Sequence, residues 1–506
     1  MSGVETVADA LRRAEARCGD ATGWRDANGS ATYREIGASV RRAARLLEER
    51  GVGPGERVML VAHNGRDFLE WTFAAAWCGA VLVPVNWRLA PREVAALVAL
   101  TEPTLAVCQA GLAALVGDAL PVVDASERAA VERAQAHPSR ADDLAHLYCT
   151  SGTTGEPKGV ELTHDNVMRH ALAAICELEL TDRDVWGHAA PMFHLADAWA
   201  TVAITLAGGV HTALPRFEPA ATLALFERER VTVTNLVPTM LALMVADPAL
   251  ASTDLSAFRL VLSGGAPIAP ETVRRVEAAF RCEYVQTYGM TETSPYLTLS
   301  RLGPSERALS EDERFAYRAR TGRPFLGVEL EVVDADGREV PRDDRAVGEI
   351  RVRGASVTRG YWRRPDLTAA AIRDGWLYTG DLARIERRGF VEIVDRAKDM
   401  IVTGGENVYT TEVENALFEH ASVLEAAVYG VADATWGEVV CAAVVPRDGA
   451  TLTEVELEAH CRERLAGYKC PRRWRVMGEP LPRTGSGKIA KRVLRRGGGP
   501  GPLSLE

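Results

Sequence analysis

Over the first two hundred residues, short runs of β-branched and other apolar side chains alternate with stretches whose apolar positions recur at helical spacing. Arg57–Ala62 and Ala80–Val85 are such runs, and Val40–Arg50 and Arg92–Leu100 are such stretches. This alternation predicts strands of a parallel sheet buried under helices, and hence an α/β fold. A second block of the same kind extends from Val231 to Tyr288, with strands expected at Val231–Leu236 and Leu260–Leu262. The pattern therefore predicts a large N-terminal domain of two α/β sheet subdomains.

From Gly327 the period shortens to two. Val328–Val333, the turn Asp334-Ala335-Asp336-Gly337 and Gly348–Val352 read as a hairpin, opening an all-β subdomain over about 327–394. Beyond Asp395 a small α+β domain is expected, spanning 396–506. Its helices should lie at Thr411–Glu419 and Glu454–Leu465, and its strands at Ala426–Val431 and Val439–Val445. The Gly/Pro tract from about residue 497 predicts a disordered tail.

At 506 residues the chain exceeds one ordinary core, which agrees with the two-domain pattern. A formal charge of −10 argues against nucleic-acid binding, which needs a basic surface. The nine cysteines are scattered without metal-ligand spacing and read as reduced thiols of a cytoplasmic protein. Residues 1–30 lack a signal-peptide pattern. The most apolar run, Thr72–Val85, is shorter than the roughly 18 residues that span a bilayer. It also contains Gly79 and Pro84, so it reads as a buried helix-to-strand passage.

Lysine usage sharpens the chemistry. Only Lys158, Lys398, Lys469, Lys488 and Lys491 are lysines, among 59 basic residues. A compact, rotatable ammonium does what a planar guanidinium does not. Lys158 closes the string Tyr148-Cys149-Thr150-Ser151-Gly152-Thr153-Thr154-Gly155-Glu156-Pro157-Lys158-Gly159. Its glycines and hydroxyls suit a loop whose N–H groups surround phosphate oxygens. Pro157 and Gly159 flank the lysine, so this is not the nucleotide loop ending Gly-Lys-Ser/Thr. Lys491, in Lys491-Arg492, reads as ordinary surface charge, and Lys469 has no evident role.

The string resembles the phosphate loop of the adenylate-forming superfamily, which includes acyl-CoA synthetases, peptide-synthetase adenylation domains and firefly luciferases. Further motifs follow in the family's order: Pro191-Met192-Phe193-His194, Ser263-Gly264-Gly265-Ala266-Pro267, Tyr288-Gly289-Met290-Thr291-Glu292, Tyr378-Thr379-Gly380-Asp381, Asp395-Arg396-Ala397-Lys398-Asp399 and Pro482-Arg483-Thr484-Gly485-Ser486-Gly487-Lys488. The resemblance covers essentially the whole chain, with the fatty- and aryl-acid CoA ligases as the most similar branch.

The resemblance implies ATP contacts from Thr150, Ser151, Gly152, Thr153, Thr154, Gly155 and Lys158. Others are implied at Gly264, Gly265, Ala266 and Pro267, and at Gln286, Thr287, Tyr288, Gly289 and Thr291. Glu292 would hold Mg2+, and Asp381 and Arg396 the ribose. Lys488 would bridge the substrate carboxylate and the α-phosphate, Lys398 would be the hinge, and Gly404, Gly405 and Glu406 would line a CoA tunnel. His194, Asp197, Trp199, Gly289 and Pro295 would form the acyl pocket, with His194 a gate toward the phosphates. Relatives commonly carry glycine at the position of Asp197, so this residue, with Trp199, either reshapes the pocket or recognises a polar substituent, or it simply starts a helix.

The implied reaction joins a carboxylic acid to ATP as acyl-AMP, releases pyrophosphate, and passes the acyl group to CoA. Malonate-specific relatives have arginine where this chain has Thr287, which points toward fatty, aryl or other hydrophobic acids. CoA is expected as acceptor because the chain ends soon after Lys488; a free-standing acyl carrier protein is the alternative. Luciferase-like oxidation has no signature of its own. A non-catalytic nucleotide-binding protein would be expected to lack one of Lys158, Glu292, Asp381, Arg396 or Lys488, and all five are present. The motifs leave the oligomeric state open, a homodimer included.

Overall fold

The structure is a computed structural model that describes residues 5–133, 135–151, 157–265, 268, 270–433, 435–483 and 489–496. The chain divides into two compact units, residues 1–330 with 352–378 and residues 331–351 with 379–506.

The first unit is built on two sheets. One has six strands in the order Val122–Asp124, Leu105–Cys108, Arg57–Val61, Val81–Pro84, Leu144–Ser151 and Pro157–Thr163. Its pairs are parallel except the last, an antiparallel ladder that sets Thr150 opposite Lys158. The other has nine strands and runs from Arg323–Pro324 through Tyr296–Leu299, Glu283–Gly289, Leu260–Gly264, Val233–Asn235, Val185–His188, Val210–Ala213 and Thr22–Asp26 to Gly29–Thr32. The strands expected near 57–62, 80–85, 231–236 and 260–262 are all present.

Thr72–Val85 is the predicted passage. The helix Arg66–Cys78 ends on Gly79, whose φ of 76° closes the C-terminus in a left-handed turn, and strand Val81–Pro84 follows. Phe68, Trp71 and Phe73 of this helix are buried. The helix expected at Val40–Arg50 starts earlier, at Tyr33, because Thr32 and Glu35 form a capping box. Among the described residues no helix is long and apolar enough to cross a membrane, and all nine cysteines are unpaired.

The stretch 327–394 is not all β. A helix, Pro365–Ala371, interrupts it, nucleated by Pro365 in its first turn and carried by Ala369, Ala370 and Ala371.

In the second unit, Glu406–Val408, Ile401–Thr403, Gly437–Pro446 and Val423–Asp433 form a sheet in that order, with Arg473–Val476 parallel to Gly437–Pro446. Helices Thr410–Phe418 and Glu454–Arg462 supply Val413, Leu417, Leu457 and Cys461 to one core, while Leu481 and Leu494 close another. This unit also takes in 331–351 and 379–395, ahead of the expected 395/396 boundary. The antiparallel ladder from Asp381 opposite Arg396 to Ile385 opposite Val391 ties the later of these segments to the hinge motif.

Lys491 is not ordinary surface charge. Its ammonium donates to Glu414 Oε1 at 2.8 Å and to Thr410 Oγ1 at 2.7 Å, and the pair is largely shielded from solvent. Thr410 in turn donates its N–H and O–H to Asp395. Burial raises the pKa of both Glu414 and Asp395. Lys491→Met is therefore expected to destabilise this unit by about 2–4 kcal/mol, because it leaves a shielded carboxylate unpaired. Adding Glu414→Gln should return most of that loss, as read by denaturant unfolding.

Three imidazoles of the first unit are held neutral by burial, His146 and His170 down to about 3 and His164 to about 4. The unfolded chain, with histidine pKa near 6.5, binds protons that the folded chain refuses, so stability falls as pH drops below about 6.5. The three together should lower unfolding free energy on the order of 4 kcal/mol between pH 6.5 and 5. A denaturant midpoint unmoved over that range would contradict this.

Candidate active site

In the first unit, Lys158 and Glu292 meet although 134 positions separate them. Lys158 stands on the strand Pro157–Thr163, and Glu292 lies in the 3-10 turn Thr291–Thr293 that ends the strand Glu283–Gly289. The ammonium donates to Glu292 Oε1 at 2.8 Å and to the Tyr361 hydroxyl at 2.7 Å. The Tyr361 O–H donates to the same Oε1 at 2.8 Å, and the ammonium sits 4.0 Å from the Tyr361 ring centroid. Burial and the Glu292 carboxylate push the phenol's pKa upward, so it remains a donor. The Glu292 side chain is 5% exposed and that of Lys158 23%.

Across the ladder, the Thr150 hydroxyl is buried with no hydrogen-bond partner among the described residues. Gly264 lies against Thr287, whose hydroxyl donates to Ser263 O at 3.1 Å. A Cβ at Gly289 would collide with the Pro295 carbonyl, so glycine is required there. The Gln286 backbone N–H donates to Ser300 Oγ, and Tyr288 stands opposite Thr298 in the sheet. Gly265 adopts φ 87°. Gly152, Thr153, Thr154, Gly155, Ala266, Pro267 and Lys488 lie outside the described residues, as does the side chain of Ser151.

Mg2+ binds with few protein carboxylates, keeps several waters and takes its remaining oxygens from substrate phosphates. One buried carboxylate beside a hydroxyl-rich strand fits that demand. Among the described residues no cluster of three or more His, Cys, Asp or Glu would hold a metal by itself.

The expected acyl-pocket residues fall into different surroundings. Trp199 donates its indole N–H to the Tyr296 hydroxyl at 3.1 Å, and His170, Trp186, Tyr296 and Phe325 complete an aromatic cluster around it. Pro295, next to Tyr296, and Gly289 adjoin this cluster through the strand pair. His194 is the residue preceding helix Leu195–Ala207, with its ring 4.6 Å from that of Phe193. Asp197 does lie in that helix's first turn, but it is fully buried: its carboxylate meets His188 Nδ1 at 2.5 Å and accepts from the Trp186 N–H at 3.3 Å. His188 continues to His211 at 3.0 Å, and His211 to the Thr205 hydroxyl at 3.0 Å. Asp197 is thus engaged by its own neighbours, and the sequence reading missed their roles because His188 and His211 lie on neighbouring strands.

In the second unit, Asp381 and Arg396 face each other across their ladder, with Arg396 Nε 2.8 Å from Asp381 Oδ1. Burial lowers the pKa of Lys398, and the adjacent Asp399 accepts from Arg495 at 2.8 Å. Gly404 and Gly405 take φ 59° and 85° in the turn before exposed Glu406, and Gly404 N–H donates to Trp436 O. Lys469 pairs with Glu412 at 2.7 Å.

Comparison with known proteins places these features. Residues 11–362 match the AMP-binding enzyme family and residues 412–488 the AMP-binding enzyme C-terminal domain. The chain is 39% identical over 485 residues to a feruloyl-CoA synthase of Amycolatopsis, covering 94% of this chain and 96% of that protein. It is 37% identical to a long-chain-fatty-acid–CoA ligase of Thermus thermophilus, covering 92% and 89%. The o-succinylbenzoate coenzyme A synthetase of Bacillus subtilis, solved with ATP and magnesium ion, superposes with a TM-score of 0.85 at 28% identity, covering 96% of this chain and 98% of that one. The chain belongs to the adenylate-forming superfamily, in its acyl-CoA synthetase branch.

Proposed function

We infer that this chain activates a hydrophobic, preferentially aryl, carboxylic acid. The class of reaction is ATP-dependent acid–CoA ligation through acyl-AMP, with ATP, Mg2+ and CoA as the reagents. The observation that carries the reading is the meeting of Lys158 with Glu292, across the ladder from a buried Thr150 hydroxyl that has no partner among the described residues.

In the first step a carboxylate oxygen attacks the α-phosphorus, a new P–O bond forms, and the bond to pyrophosphate breaks. Negative charge moves onto the leaving group, and fixed positive charge lowers the barrier. Lys158 supplies that charge, Thr150 donates from the facing strand, and Glu292 holds the metal ion. Mg2+, when bound, neutralises phosphate charge. Asp381 and Arg396 hold the ribose, and Lys488 steadies the carboxylate against the α-phosphate. In the second step the CoA sulfur attacks the acyl carbon, a C–S bond forms, AMP leaves and the thiol proton passes to solvent. Lys398 serves as the pivot between the steps, with Gly404, Gly405 and Glu406 along the thiol's path.

The aryl preference is supported by the aromatic cluster of His170, Trp199, Tyr296 and Phe325 and by the 39% identity to a feruloyl-CoA synthase. The cytoplasm, where ATP and CoA occur beside reduced thiols, suits nine unpaired cysteines. A pyrophosphate-release screen over aryl and aliphatic acids of rising chain length, with and without CoA, tests the assignment. Turnover should be highest with hydroxycinnamate-like acids; a clear preference for long aliphatic chains would overturn the aryl reading.

A further inference from the structure

Tyr361 belongs to none of the sequence motifs, yet it contacts both charged groups of the phosphate site. We propose that Tyr361 is a positioning residue that keeps Lys158 and Glu292 separable, so that Mg-ATP can part them. This rests on the assignment of Lys158 to phosphate and Glu292 to metal.

The need for such a residue follows from the geometry. Adenylation requires the ammonium on phosphate and the carboxylate on the metal ion, but here each neutralises the other at 2.8 Å in a shielded place. Entering nucleotide must break that pair, and a shielded pair parted without replacement bonds is costly. Tyr361 offers a replacement on both sides without adding charge. Its O–H already donates to Glu292 Oε1, so the carboxylate keeps a bond when the ammonium leaves. Its ring face lies under the ammonium at 4.0 Å, so Lys158 can turn toward phosphate without losing that contact.

The backbone fixes Tyr361 to both partners. Trp362 N–H donates to Gly159 O at 2.8 Å, and Val160 and Tyr361 form an antiparallel bridge, which locks this segment to the strand of Lys158. Thr358 N–H donates to Glu292 O at 2.7 Å, and Ser294 Oγ donates to Ser356 O at 2.8 Å, which lock it to the turn of Glu292. Residues 356–362 thus join the two halves of the site, and the phenol is their one side chain that touches both Lys158 and Glu292.

The test is equilibrium binding of Mg-ATP to Tyr361→Phe, which keeps the ring and removes the O–H. Affinity should fall about tenfold, the scale of one hydrogen bond to a charged group. On a Glu292→Gln background the same change should cost less than about threefold, since the carboxylate it serves is gone. Unchanged affinity in Tyr361→Phe, or an equal loss in both backgrounds, would overturn the proposal. If the Phe variant does not fold, Tyr361→His decides: it keeps a ring and one N–H donor, so Mg-ATP affinity should stay within about threefold of that of the unaltered protein, and a tenfold or greater loss overturns the idea. Absence of any ATP binding by the unaltered protein would instead remove the functional reading on which the proposal stands.

Discussion

Lys488→Ala is expected to lower acid-dependent pyrophosphate exchange by about 10²–10³-fold, the cost of deleting one donor aimed at developing charge. Thiolysis of a supplied acyl-adenylate should change by less than about tenfold, because that step breaks the acyl–AMP bond after the α-phosphate has already reacted. Lys398→Pro should give the reverse pattern, adenylation retained and thioester formation lost, since it stiffens the proposed pivot. Single-turnover kinetics of each half-reaction separate the two. Equal loss of both half-reactions in Lys488→Ala would contradict the alternation.

Lys158→Met should lower adenylation by about 10²-fold or more, because it removes the ammonium assigned to phosphate and leaves the 5%-exposed Glu292 side chain with Tyr361 alone. Lys158→Arg should rescue little of it. The Lys158 Nζ bonds Glu292 and Tyr361 at 2.8 and 2.7 Å while lying over the ring, a fit for a compact ammonium and a poor one for a planar fork. Initial rates of exchange at saturating ATP check both variants, and full activity in the arginine variant would contradict the role given to the ammonium.

How much of this was legible in the sequence can be judged residue by residue. The strand expectations near 57–62, 80–85, 231–236 and 260–262 held because buried parallel strands are continuous apolar runs, here too short for helices and rich in valine. The start of helix Tyr33–Glu49 was misplaced because apolar periodicity is silent about caps, although Thr32 and Glu35 carried the signal. The helix Pro365–Ala371 was missed because seven residues are too few to show a period.

The pairing of Lys158 with Glu292 could be expected only through family motifs, since nothing local joins residues 134 positions apart. Tyr361 left no signal, because a tyrosine between Gly360 and Trp362 resembles any core tyrosine. Lys491 shows the opposite failure. Its rarity among 59 basic residues flagged it, but its neighbour Arg492 suggested a solvated run, and the half-buried Glu414 that claims it lies 77 positions earlier. For Asp197 a pocket role and a helix-start role both stood open; it lies in a helix's first turn, and its partner His188 comes from the strand before it.

The central claim is that this chain makes an acyl-adenylate before any thiol is involved. Pyrophosphate–ATP exchange, measured with Mg2+ and without CoA across aryl and aliphatic acids, tests it most directly. The account predicts exchange that depends strictly on an acid, with CoA then converting the bound intermediate to acyl-CoA and one AMP per pyrophosphate. Formation of ADP and phosphate, or no exchange with any acid while ATP still binds, would contradict it.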